Sequence, residues 1–117
     1  MVDDNAEIRQ IIKLSLGLSY LVTEADSASE ASTQLEKEHP DLILLDIMMP
    51  GLNGLEWCKM LRRCYQYNNV KIIFISALAQ ASDISDGMKS GADGYITKPF
   101  SPQYLLDQVD RQFVVSV

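Results

Sequence analysis

The sequence predicts an α/β fold: a single doubly wound domain over residues 1–117, with a parallel sheet and helices on both of its faces. Three observations carry this expectation. Residues 42–45 and 72–75 are continuous apolar runs, as strands buried on both faces require. Helical periodicity recurs before, between and after them. Strands that alternate with helices connect by right-handed crossovers, which makes the sheet parallel. A chain of 117 residues, 47% hydrophobic and 22% charged, suits one such domain and can bury its own core.

The elements follow in order. A helix begins near Asn5 and turns Ile8, Ile11, Ile12 and Leu16 to one side. Residues 21–25 read as a short strand. Ser27 and Glu30 have capping-box spacing and open a helix through about Glu38, which Pro40 stops. Residues 42–45 are the next strand, and Pro50-Gly51 is a turn. Asn53 caps a third helix, with Glu56 at the capping-box position. This helix carries Leu55, Cys58, Met60 and Leu61 and runs to about Tyr65. Residues 70–75 form a second doubly buried strand. A weak helix over 82–90 contains Ser82, Asp83, Ser85, Asp86, Gly87 and Ser90, all poor helix formers. Gly91 suits its end. Residues 94–97 are a short strand, and Pro102 opens a last helix with Leu105, Leu106, Val109 and Phe113. Trp57 reads as packing, and His39 takes no role. The apolar end, Phe113 with Val114 and Val115, either packs on the domain or leads into more chain.

Composition excludes several functions. Sixteen acidic residues against ten basic give a net charge of −6. No basic face is expected for direct nucleic-acid binding or for docking on anionic membranes. No apolar run is long enough to span a bilayer, and no secretory signal pattern is visible, so the reading is cytoplasmic. Cys58 and Cys64, placed on one helix, would point about 240° apart and could not pair. They read as reduced packing thiols.

The chemistry lies at the strand ends. Asp3 and Asp4 follow Val2, Asp46 follows Leu45, Ser76 follows Ile75 and Lys98 follows Thr97. In a parallel sheet these ends share one edge, where α/β folds bind ligands. Two carboxylates about 4 Å apart repel by roughly 4 kcal/mol at an effective dielectric near 20. Lys98 offsets one charge and a hard divalent cation would offset two. Oxygen ligands suit Mg²⁺. A carboxylate beside that ion and an ammonium is a credible phosphoryl acceptor.

Four segments, Val2-Asp3-Asp4-Asn5, Leu44-Leu45-Asp46-Ile47-Met48-Met49-Pro50-Gly51, Ile75-Ser76-Ala77 and Tyr95-Ile96-Thr97-Lys98-Pro99-Phe100, resemble in sequence and order the receiver domain of two-component response regulators. The resemblance covers nearly the whole chain. It implies a five-stranded sheet of order 2-1-3-4-5 and a phosphorylation-dependent signalling switch, not a turnover enzyme. By this resemblance Asp46 accepts a phosphoryl group from a phosphohistidine of a sensor histidine kinase or histidine phosphotransfer protein. Mg²⁺ would be held by Asp4, Asp46 and the Met48 backbone carbonyl, with Asp3 acting mainly through a metal-bound water. Lys98 would pair with Asp46 before transfer and with the phosphoryl group after it. The Ser76 hydroxyl would bond a phosphoryl oxygen, and Tyr95 would turn inward as Ser76 moves. A cis Lys98-Pro99 peptide is implied as well. The output face would be the helix over 82–90, the strand over 94–97 and the last helix, toward a partner the sequence does not name.

Two departures from the family pattern stand out. Only Met1 and Val2 precede the acidic pair, so the first strand is truncated. Either the chain is a cut piece, or another segment supplies the missing pairing. A strand exchanged with a second copy in a homodimer is one such source. Met48 and Leu78 stand where the family gates the attacking water. Neither can orient a water, which implies slow autodephosphorylation.

Overall fold

Apolar residues without alternation build the centre of the sheet, as expected. The computed structural model describes residues 1–49 and 51–113. The strands are β1 (Leu42–Leu45), β2 (Met48–Met49), β3 (Leu52–Asn53), β4 (Lys71–Ser76) and β5 (Gly94–Thr97). The helices are α1 (Ala6–Leu16), α2 (Ala28–Lys37), α3 (Gly54–Arg63), α4 (Ala81–Lys89) and α5 (Pro102–Arg111). β1, β4 and β5 form a parallel sheet in that order. Its register sets Leu45 opposite Phe74 and Ser76 opposite Thr97, so the strands end nearly level.

Side chains alternate across these strands. Ile43, Leu45, Ile72 and Phe74 pack with Ala31 of α2 and with Trp57, Cys58 and Leu61 of α3. Leu44, Ile73, Ile75 and Ile96 pack with Ile12 and Leu16 of α1 and Leu105 and Val109 of α5. The sheet is therefore covered on both faces, and the fold is doubly wound. Four of the helices start where a side chain satisfies their first amides. Asn5 accepts from Glu7 and Ile8, Ser27 from Glu30, Asn53 from Leu55 and Glu56, and Ser101 from Tyr104. Ahead of α4, the Gln80 amide donates to Asp83 Oδ2 at 3.1 Å. Gly91 closes that helix at φ 109°, which only glycine adopts freely.

The structure corrects the expected sheet. Residues 21–25 do not form a strand: Ala25 alone is bridged, to Val2, and Val2 is bridged to Leu45. Among the described residues the sheet is three strands extended by two single parallel bridges, in the spatial order Ala25, Val2, β1, β4, β5: the expected order, with its first two members present as bridges and not as full strands. The backbone partner of Ala25, and of β1 on this side, is the stretch Met1–Asp3. That stretch makes four backbone bonds: Val2 to Leu44 at 2.8 Å, Asp46 to Val2 at 3.0 Å, Ala25 to Met1 at 2.8 Å and Asp3 to Ala25 at 3.1 Å. Burial draws the Met1 ammonium pKa down to about 6.

Smaller differences follow from packing. An antiparallel pair, Met48 with Asn53 and Met49 with Leu52, was not anticipated; its turn uses Gly51 at φ 73°. Pro50, Val114 and Val115 lie outside the described residues. Ile11 is 39% exposed, because it sits about 100° around the helix from Ile12. Met60 and Phe113 are also exposed, and α3 ends at Arg63. Cys58 is buried and free, and Cys64 is free and half-buried. Among the described residues no helix is long and apolar enough to cross a membrane.

Candidate functional site

The level strand ends bring the nominated polar residues to one edge. Asp46 directly follows β1 and is buried. Its N–H donates to the Val2 carbonyl, which places Asp3 and Asp4 beside it. Oxygens of Asp3, Asp4 and Asp46 lie within 4.8 Å of one another, with Asp3 buried and Asp4 exposed. The Asn5 amide donates to Asp3 Oδ1 at 2.9 Å, and Arg9 Nη1 donates to the Asp3 carbonyl at 2.8 Å. Opposite stands Lys98, just past β5, on a cis Lys98-Pro99 peptide. Its Nζ donates to Asp3 Oδ2 at 3.0 Å and to Asp46 Oδ2 at 3.2 Å. The Met48 amide donates to Asp46 Oδ1 at 3.1 Å.

The charges do not balance, and the pKa directions reflect this. Burial raises the Asp46 carboxyl; the Met48 amide and Lys98 pull the other way without reversing it. Burial alone would lower Lys98, but its bonds and charge interactions with Asp3 and Asp46 outweigh it and raise the ammonium. Three carboxylates thus share one ammonium. An oxygen-only donor set with this surplus of negative charge fits a hard divalent cation, which keeps some of its own waters.

A second chain of contacts leaves the site sideways. Ser76 is buried at the end of β4, and its Oγ accepts the Leu78 amide at 3.1 Å. Tyr95 of β5 donates its hydroxyl to the Leu78 carbonyl at 2.7 Å. Ser76 and Tyr95, nominated as a pair, are therefore joined through the Leu78 backbone. The Tyr95 ring lies 6.2 Å from that of Phe74. Met48 is 65% exposed and Leu78 is half-buried, so both flank the site as apolar groups.

Two glycines were missed as site residues. A Cβ on Gly54 would stand 2.8 Å from Ile47 Cα and 2.9 Å from the Asp46 carbonyl, so α3 can start against the site loop only with glycine there. A Cβ on Gly87 would stand 2.9 Å from Tyr95 Cδ2. Gly54 had a signal, its place directly after the cap Asn53. Gly87 looked only like a weakness in a helix.

A family model described as the response regulator receiver domain matches residues 1–110. The chain belongs to that family. This receiver is 42% identical over 106 residues to a probable transcriptional regulator, ycf27, of Porphyridium aerugineum, covering 90% of this chain and 43% of that protein. It is 39% identical over 107 residues to the phosphate regulon transcriptional regulatory protein PhoB of Pseudomonas aeruginosa, covering 91% and 47%. The chain spans less than half the length of these curated relatives. The receiver also matches the structure of chemotaxis protein CheY4 of Vibrio cholerae, with TM-score 0.86, 32% identity and coverage of 94% and 92%. It is a signalling switch module of the phosphorylated receiver class, and its acidic cluster is consistent with a phosphoacceptor and Mg²⁺ site.

Proposed function

We propose that Asp46 is the phosphoacceptor and that residues 1–117 act as one receiver unit. The observation that carries this is the buried Asp46 carboxylate, bonded on one oxygen by Met48 and on the other by Lys98, beside two further acids. An Asp46 oxygen attacks the phosphorus of a phosphohistidine on a sensor histidine kinase or phosphotransfer protein. One O–P bond forms and one N–P bond breaks, and the imidazole leaves with the electron pair. Asp3, Asp4, Asp46 and the Met48 carbonyl would hold Mg²⁺, which when bound neutralises phosphoryl oxygens. Lys98 swings part of its bonding from the carboxylates to the new phosphoryl group. Ser76 keeps its hydroxyl proton for a phosphoryl oxygen, because its bond to Leu78 uses the oxygen only as an acceptor.

Movement of Ser76 then shifts the Leu78 backbone, and with it the carbonyl that holds Tyr95. This gives the α4, β5 and α5 face two arrangements, whose populations phosphorylation biases. The partner reading that face is proposed to be a transcription-regulating segment or protein, by analogy with the curated relatives. A cytoplasmic location is proposed with it. Incubation with Mg²⁺ and acetyl phosphate, followed by intact mass, tests the reading. A single phosphoryl mass gained by the chain and absent from Asp46→Asn supports it. No gain, or equal gain in the variant, overturns it.

A further inference from the structure

Arg9 stands one turn into α1 and has no role in the phosphoryl transfer proposed above. Side chains on a helix lean toward its N-terminus, so a long one here reaches back past the helix start. Arg9 Nη1 donates to the Asp3 carbonyl at 2.8 Å, six residues earlier. Asp3 is 2% exposed, and a buried carbonyl requires a donor. The guanidinium is itself held. Its Nε lies 3.5 Å from Glu24 Oε1, and Glu24 Oε2 accepts from Lys13 at 3.0 Å. Glu24 precedes Ala25, whose carbonyl accepts the Asp3 N–H at 3.1 Å. Both backbone groups of Asp3 are therefore fixed, one by Ala25 and one by Arg9.

We propose that Arg9 is a positioning residue for the cation site of Asp3, Asp4 and Asp46, a proposal that rests on the Mg²⁺ reading of that cluster. The carbonyl that Arg9 grips belongs to the Asp3–Asp4 peptide. That peptide is planar, so holding its carbonyl also holds the Asp4 N–H and the direction in which the chain enters Asp4. The Asp3 carboxylate has its own restraints, because its oxygens accept from Asn5 and Lys98. Asp4 is exposed, and Lys98 bonds Asp3 and Asp46 instead of it. The Asp4 carboxylate is thus aimed by its backbone, with an oxygen within 4.8 Å of those of Asp3 and Asp46. Without the guanidinium, the buried Asp3 carbonyl loses its donor and the peptide turns to find another. Charge acts in the opposite sense, since a guanidinium near the acids repels a cation. Positioning and charge therefore predict opposite effects when Arg9 is removed.

The test is a Mg²⁺ titration of the whole chain, well below the Tm of each variant. It is read by the amide resonances of Asn5 and Met48, which bond to Asp3 and Asp46. Arg9→Met keeps the apolar stem and is expected to weaken Mg²⁺ about tenfold, as loss of a partner behind a metal ligand does. Arg9→Gln, too short to reach the Asp3 carbonyl, is expected to match it, so the result does not hang on how one variant folds. Arg9→Lys keeps a donor and should bind Mg²⁺ more tightly than Arg9→Met, although it carries the charge that repels the ion. Lys13→Met removes the other cation on Glu24, leaves the Asp3 bond in place, and should not weaken Mg²⁺. Equal or tighter binding by Arg9→Met and Arg9→Gln overturns the proposal. Equal weakening in Lys13→Met also overturns it, by placing the effect on Glu24. A parent chain that does not respond to Mg²⁺ overturns the metal reading and this proposal together, whereas a responsive parent beside an unaltered Arg9→Met overturns this proposal alone.

Discussion

Asp46→Asn and Lys98→Met are expected to move stability in opposite directions. Oxygens of the three acids lie within 4.8 Å, and Lys98 reaches two of them at 3.0 and 3.2 Å. At an effective dielectric near 20, each like-charge pair costs roughly 3.5 kcal/mol and each lysine contact gains roughly 5 kcal/mol. Asp46→Asn removes two repulsions and one attraction, and it ends the burial cost that raises this carboxyl. Asp4 is exposed, so its share is reduced. The net is a gain of about 1 kcal/mol, or roughly 4–6 °C in Tm for a domain of this size. Lys98→Met removes both attractions and leaves buried like charges, a loss of about 3 kcal/mol. The sign with pH is fixed by the raised Asp46 pKa. The native state holds this proton more tightly than the unfolded chain does. Its contribution is therefore full in acid and lost as pH rises through the raised value. The advantage of Asn accordingly shows at pH 7 and fades in acid. Thermal melts at pH 7, with and without Mg²⁺, read both effects. Mg²⁺ should stabilise the parent more than Asp46→Asn. A destabilised Asp46→Asn, or a Lys98→Met with unchanged Tm, refutes the charge assignment.

Other substitutions probe the surroundings. Gly87→Ala gains about 1 kcal/mol of helix propensity, but its Cβ meets Tyr95 at 2.9 Å and Phe74 at 3.3 Å. A net loss of about 1 kcal/mol is expected in urea melts, as the ring gives up its Leu78 bond. Arg62→Ala removes bonds to the Gly91 carbonyl at 2.8 Å, the Val70 carbonyl at 2.5 Å and Asp93 at 2.8 Å. It should cost about 2–3 kcal/mol by denaturant midpoint while the folded fraction still accepts phosphate. Met48→Asn with Leu78→Glu puts polar groups beside the site, and the phosphorylated chain should then lose its phosphoryl group severalfold faster by intact mass.

The sequence made the centre of the sheet and the site legible for different reasons. The strands β1 and β4 are buried on both faces, so their apolar runs leave no second assignment. Asp3, Asp46, Ser76 and Lys98 could be placed because a parallel sheet turns each strand end to the same edge, whatever the helices do. Residues 21–24 read as a strand from their apolar and β-branched side chains, but strand formation depends on pairing, which β propensity does not report; only Ala25 is bridged. Gly54 and Gly87 were illegible as site residues because their role is an absence of volume. Only the position of Ile47 or Tyr95 in space reveals what a Cβ would strike.

The weak sequence of α4 acquires a purpose once Gly87 is placed against Tyr95. Moving a two-state equilibrium from 1:99 to 99:1 takes about 5.5 kcal/mol of differential interaction. Hydrogen bonds to a charged group contribute about 1.5–3 kcal/mol each, so in the proposed roles Lys98 and Ser76 together would supply roughly 3–6 kcal/mol. That range suffices only if little else holds the face in one arrangement. α4 meets the condition: Gly87 is its one buried residue. The helix bears on the Tyr95 ring without the interlocking side chains that would fix it. A well-formed, well-buried helix at this position would be more stable and would leave a phosphoryl group at Asp46 too weak to move it.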